Sequence, residues 1–157
     1  QEFREKYVDP PPSELIEKRQ KRMIKRLKFW ISDLTAEQKT AVSDWNAQLL
    51  ALSEDWLQFR EYLQAKARRL LERRNDGVDA RAALLDLIVN SESMRSAAYQ
   101  AKIDANIDTS IKFVIRLNQT LTGRQRSYFL NRIESLATDF DKLSCDPKEI
   151  PKPRVNF

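Results

Sequence analysis

Leu34-Thr35-Ala36-Glu37-Gln38 returns 87 residues later as Leu121-Thr122-Gly123-Arg124-Gln125. In each copy the Thr hydroxyl can accept from the N–H of the Gln three residues on. The Gln side chain can reach back to the Thr N–H. That is a capping box, which opens a helix, and the preceding Leu is free to enter the core at the corner. Sliding the chain by the same interval also superposes Ile16 on Ile103, Ile24 on Ile111, Leu27 on Val114 and Trp30 on Leu117. A duplicated helix-corner-helix unit accounts for this economically. The alternative is two boxes of independent origin, since Thr and Gln are ordinary capping residues.

Working outward, residues 1–12 read as an extended, Pro-rich lead-in, because Pro10-Pro11-Pro12 fixes three φ angles and removes three N–H donors. Ser13 or a neighbour is expected to cap the first helix. Ile16, Met23, Ile24, Leu27, Trp30 and Ile31 fall within an arc of about 120° on it. Lys18, Lys21, Arg22, Lys25 and Lys28 fill the opposite arc, with Phe29 among them. A second helix, about 36–74, carries Val42, Trp45, Leu49, Leu52, Trp56, Phe59, Leu63 and Leu70 as a heptad seam in which Lys66 is the lapse. A bend near Ser53-Glu54-Asp55 would divide it.

Asn75-Asp76-Gly77 is a turn signal, Asp79 is placed to cap a short helix over 80–89, and Ser91-Glu92-Ser93 breaks the chain. A helix over about 94–119 is expected to turn Ile103, Ile107, Ile111, Val114 and Leu117 inward. A last one, 123–143, should do the same with Phe129, Ile133, Leu136, Phe140 and Leu143. The expected architecture is all-α: five or six helices in one domain over 13–145, with repeat halves about 13–75 and 94–145. An irregular Pro-rich tail, 146–157, follows.

Composition agrees. Two glycines in 157 residues, against a usual share of about 7%, leave too few positions for hairpin turns or phosphate-cradling loops. With no His and one Cys, a His/Cys zinc site, a Ser–His or Cys–His nucleophile pair and an internal disulfide are excluded. No cofactor is expected. Asp104 and Asp108 share a helical face, as do Glu134 and Thr138, but such spacing is ordinary on solvated helices. The segment Ser13 to Trp30 holds seven Lys/Arg and two Glu, so the net charge of +5 resides there.

The paired motifs in a small, basic, helical chain resemble the Spy and CpxP type of periplasmic chaperones. Glu2-Phe3-Arg4-Glu5-Lys6-Tyr7-Val8-Asp9-Pro10, Asp33 to Gln38, Ala98-Tyr99 and Leu121 to Arg126 resemble the C-terminal part of an uncharacterised family of bacterial lipoproteins. That resemblance implies a preceding region with a signal peptide and a lipidated Cys, and hence the periplasmic face of an envelope membrane. His and Met, often plentiful in the chaperones, number none and two here.

The basic face is open to several readings: a solvated surface, a protein or peptide contact, or an anionic membrane contact, with nucleic acid least favoured. Lys66, Arg68, Arg69, Arg73 and Arg74 could extend it or complement a helix dipole. Trp30, Trp45 and Trp56 are expected in the core, and Cys145 near the surface. The resulting expectation is a non-enzymatic, chaperone-like protein contacting unfolded or partly folded clients through Lys18, Lys21, Arg22, Lys25, Lys28 and Phe29. Leu34, Thr35, Gln38, Leu121, Thr122 and Gln125 would serve as structural caps. A subunit that binds an envelope partner or a second copy of itself through helical seams is the alternative from another class, and an anionic membrane-surface binder the third.

Overall fold

The computed structural model describes residues 2–73 and 79–143. Arg74, the Asn75-Asp76-Gly77 turn, Cys145 and the Pro-rich tail lie outside the described residues. Seven α-helices and one 3-10 turn, and no strand, occur among the described residues. They are α1 (Glu2–Tyr7), α2 (Pro12–Ile31), α3 (Ala36–Gln48), α4 (Ser53–Glu72), α5 (Ala80–Val89), the 3-10 turn Ser91–Met94, α6 (Ala97–Gln119) and α7 (Gly123–Leu143).

The seven helices compare with an expectation of five or six, the sixth arising from the bend near Ser53 and the seventh from the lead-in. Residues 2–7, expected to be extended, form α1, because tertiary contact repays a helix too short to stand alone. Phe3 lies 4.0 Å from the Trp56 ring and 4.9 Å from that of Tyr7. The prolines do end that helix, but they also begin the next. Pro11 occupies the N-cap and Pro12 the first turn of α2, where a missing N–H costs nothing, so Ser13 is not the cap.

The expected second helix is interrupted at residues 49–52, just upstream of the Ser53-Glu54-Asp55 bend. Asn106 of α6 takes over the free main chain there: the Leu50 N–H donates to its Oδ1 (2.8 Å), and its Nδ2 donates to the Leu50 carbonyl (2.9 Å). The heptad seam is thereby split. Val42 and Trp45 enter the central core, whereas Trp56 meets Phe3 and Phe59 meets Tyr99 at 5.9 Å.

The core gathers Ile31, Leu34, Ala41, Val42, Trp45, Phe113 and Leu117, with Met23, Ile24, Leu27, Leu49, Leu121 and Phe129 packed on it. Helix α3 lies against α6 and α2 against α7, and these two pairings correspond under the 87-residue shift. The remaining helix pairings do not correspond. Helix α2 packs along its own partner α3, while α7 packs chiefly on α2 rather than along α6. Helices α4 and α5 pair with each other, and α4 buries no residue fully.

That asymmetry corrects two expected faces. On α6 the buried residues are Tyr99, Phe113 and Leu117, whereas Ile107, Ile111 and Val114 stand open. On α7 Phe129 and Leu136 are half-buried, but Ile133, Phe140 and Leu143 are exposed. Each helix has a cover on one side only. Trp45 is buried as expected and Trp56 half-buried. Trp30, at 36% exposure, sits at the rim, edge-on to Phe29 (5.1 Å) and Phe129 (6.2 Å).

Candidate functional site

The two corners meet. Thr35 accepts from the Gln38 N–H (3.2 Å) while the Thr35 N–H donates to Gln38 Oε1 (3.0 Å). Thr122 and Gln125 repeat this at 3.2 and 3.1 Å. Both capping boxes therefore form as the sequence predicts. The two amides then pair with each other: Gln38 Nε2 donates to Gln125 Oε1 and Gln125 Nε2 to Gln38 Oε1, both at 2.9 Å. The remaining N–H of Gln38 donates to the Thr120 carbonyl (3.0 Å) and that of Gln125 to the Asp33 carbonyl (2.8 Å). Thr120 and Asp33 are themselves related by the 87-residue shift. Each amide thus uses both donors and both lone pairs, which is what a Gln buried to 0% and 5% exposure requires. Leu34 is buried beside them and Leu121 half-buried, so the six motif residues act structurally.

The basic face of α2 sorts into three sets. Lys18 pairs with Glu14, Lys21 with Glu17 and Lys28 with Asp33 at 3.0 Å. The Lys21 and Lys28 partners hold the Glu17 and Asp33 carboxyls below their ordinary values by hydrogen bonding first and charge second. Arg19, which the sequence did not single out, has turned inward. Its guanidinium donates to Asn46 Oδ1 and to the Asn46 carbonyl (3.2 Å), and Asn46 Nδ2 donates to the Ile16 carbonyl (2.8 Å), strapping α3 to α2. Burial, then the charge of Arg22, lowers the Arg19 pKa.

That leaves Arg22, Lys25 and Arg26 without an acidic partner among the described residues. Phe29, 44% exposed, lies in their midst with the Arg132 guanidinium of α7 over its ring at 4.0 Å. Arg132 Nε is out of solvent with no hydrogen-bond partner. So of the six expected contact residues, Arg22, Lys25 and Phe29 form a patch, joined by Arg26 and Arg132, and Lys18, Lys21 and Lys28 are locally neutralised.

A second surface was missed because the sequence reading assigned it to the core. Leu52, Ile103, Ile107, Ile111, Val114 and Ile115, together with Asn106 and Ser110, line a largely apolar groove along α6. Ile107, Ile111, Val114 and Ile115 are each more than half exposed. Asp104, on the same helix, accepts from the Gln100 amide (2.8 Å). Thr138 donates to the Glu134 carbonyl (2.9 Å) as an ordinary helical side chain. No helix among the described residues is long and apolar enough to cross a membrane.

Fold and surfaces together define an all-helical protein with two capped corners locked by a glutamine pair, carrying one cationic and one apolar outer face. The chain belongs to a family of unknown function (DUF6279), whose model matches residues 1–100. The matched stretch contains the first corner and the basic face of α2, and stops before the second corner. No curated protein and no solved structure matches the chain.

Proposed function

We propose that this chain is a non-enzymatic binding protein of the bacterial envelope that makes reversible, chaperone-like contact with unfolded or partly folded polypeptide. In its full-length form it would be a lipoprotein on the periplasmic side, in keeping with the resemblance of its Glu2 to Pro10, Asp33 to Gln38 and Leu121 to Arg126 stretches to such proteins. The Spy and CpxP likeness of its paired motifs points the same way. The observation that carries the reading is the open strip on α6. Contiguous exposed apolar side chains mark an interaction surface, and the Ile and Val side chains that dominate the strip carry no hydrogen-bonding group to demand one particular sequence. The net charge of +5 favours encounter with acidic clients.

The test is aggregation of a reduced, denatured client at equimolar ratio in low salt. The parent protein should slow it, and the double variant Ile107→Asp, Ile111→Asp should lose the effect while keeping its thermal midpoint, because both positions are exposed. A parent protein without effect would turn the reading towards an assembly subunit that binds one dedicated partner or itself.

A further inference from the structure

The 87-residue shift relates the α3–α6 contact to the α2–α7 contact, so equivalent positions in the two interfaces can be compared directly. In the first, Trp45 and Phe113 stack at 5.3 Å in the core. The positions that correspond to them in the second are Arg132 and Arg26. A pair of aromatic core residues is thus replaced by two arginines, neither with an acidic partner among the described residues. Arg22 and Lys25 lie one turn and less from Arg26 on the same exposed face of α2 and add like charge. Cations gathered this way repel one another, a cost that nearby Glu or Asp would remove. The lysines at 18, 21 and 28 show the chain supplying that remedy elsewhere on the same helix.

We propose that Arg22, Lys25, Arg26, Phe29 and Arg132 form a docking face for the phosphates of an anionic lipid surface. Arginine suits phosphate because its planar fork gives two parallel hydrogen bonds. Arg132, fixed over Phe29 at 4.0 Å, is held in place before the ligand arrives. Phe29 and Trp30, both at the rim and edge-on to each other, distinguish a lipid interface from an acidic peptide. Aromatic rings beside Lys and Arg sit at the boundary where charged headgroups meet acyl chains. The face lies on α2 and α7, away from the α6 strip, and stands or falls independently of polypeptide binding.

The experiment is co-sedimentation of the full chain with vesicles of phosphatidylcholine, with and without added phosphatidylglycerol, at low salt. The parent should bind the anionic vesicles and not the neutral ones. Each cation near an anionic surface contributes about fivefold in partitioning, so Arg26→Gln, Arg132→Gln should weaken binding about 25-fold. Glu14→Gln, Lys18→Gln, which removes one ion pair whole and leaves the net charge unchanged, should bind like the parent. Thermal midpoints establish that the variants fold, and if the arginine pair proves necessary for folding, Arg22→Gln, Lys25→Gln on the exposed face replaces it with the same expected loss. Four results would each overturn the proposal: no binding by the parent, equal binding to neutral vesicles, equal loss in both variant pairs, or binding to polyglutamate without binding to vesicles. Release by inorganic phosphate but not by chloride of equal ionic strength would reassign the face to free phosphate.

Discussion

Gln38 is wholly buried, and a buried primary amide is tolerable only when all of its hydrogen-bonding positions are used. Its mate Gln125 supplies one donor and one acceptor, the Thr120 carbonyl of the opposite corner a second acceptor, and the Thr35 N–H of its own corner a second donor. The pair therefore couples two helix starts and two helix ends through four atoms. Replacing Gln38 or Gln125 singly by Met, which keeps the volume, leaves half the partner's amide and a carbonyl unpaired and should cost about 2–4 kcal/mol. The double variant orphans no amide, so its cost should fall short of the sum by about 1–3 kcal/mol. Urea unfolding of the four proteins measures this. Strict additivity would mean that the amide–amide bonds contribute nothing and that each Gln acts only through its own capping box and its bond to the opposite main chain.

At the scale of the elements, the corners differ where the sequences differ. Helix α2 closes on Ser32, whose φ of 67° and ψ of −152° fall in a region that suits glycine, and a side chain there costs roughly 1–3 kcal/mol. Ser32→Gly should accordingly raise stability by about 1 kcal/mol and the thermal midpoint by about 2–4 °C. Gln119, its equivalent, is still helical, and Gln119→Gly should lower stability by about as much. If Ser32→Gly is neutral or destabilising, the corner is not strained.

The same contrast explains what was legible. Capping boxes are local, so Thr35, Gln38, Thr122 and Gln125 could be read with their partners within the box. Their pairing across 87 residues leaves no local sign. Periodicity told that α6 has an apolar face, but Ile107, Ile111 and Val114 share it with Phe113 and Leu117 over a wide arc. Which part is covered depends on where α7 goes, and α7 goes to α2. The Lys and Arg of α2 were equally legible as a face. Their division into paired, inward and unpaired sets was decided by Glu14, Glu17, Asp33 and Asn46, and Arg132 could not be assigned to the patch without knowing that α7 crosses Phe29.

Across the whole molecule, apolar burial is concentrated around the corners and thins out towards α4 and α5. Ile31, Leu34, Ala41, Val42, Phe113 and Leu117 close on one another, whereas α4 buries no residue fully and α5 only Leu87. Among the contacts that hold α4 to the rest are Lys102 to Asp55 at 2.6 Å, Lys66 to the Met94 sulfur at 3.4 Å, the Phe59–Tyr99 ring contact, Arg4 to Glu54 at 3.6 Å, and Phe3 on Trp56. Exposed ion pairs contribute at most about 1 kcal/mol each, and of the four rings Phe3, Trp56 and Phe59 are only half-buried, Tyr99 alone being buried. Segments with few buried apolar contacts open at a free energy below that of global unfolding. Native-state hydrogen exchange should therefore divide the chain into two units. Amides of α3 and α6 around Val42 and Phe113 should exchange only by global unfolding, and those of α4 and α5 through an opening that costs at least about 2 kcal/mol less. Lys102→Met, which leaves Asp55 unpaired at the base of α4, should lower protection in α4 and leave the Val42 amide as it was. Equal protection in α4 and α3, or a loss at Val42 matching that in α4, would show one cooperative unit extending through α4 and α5. The break at 49–52 would then be a bend within the core rather than its edge.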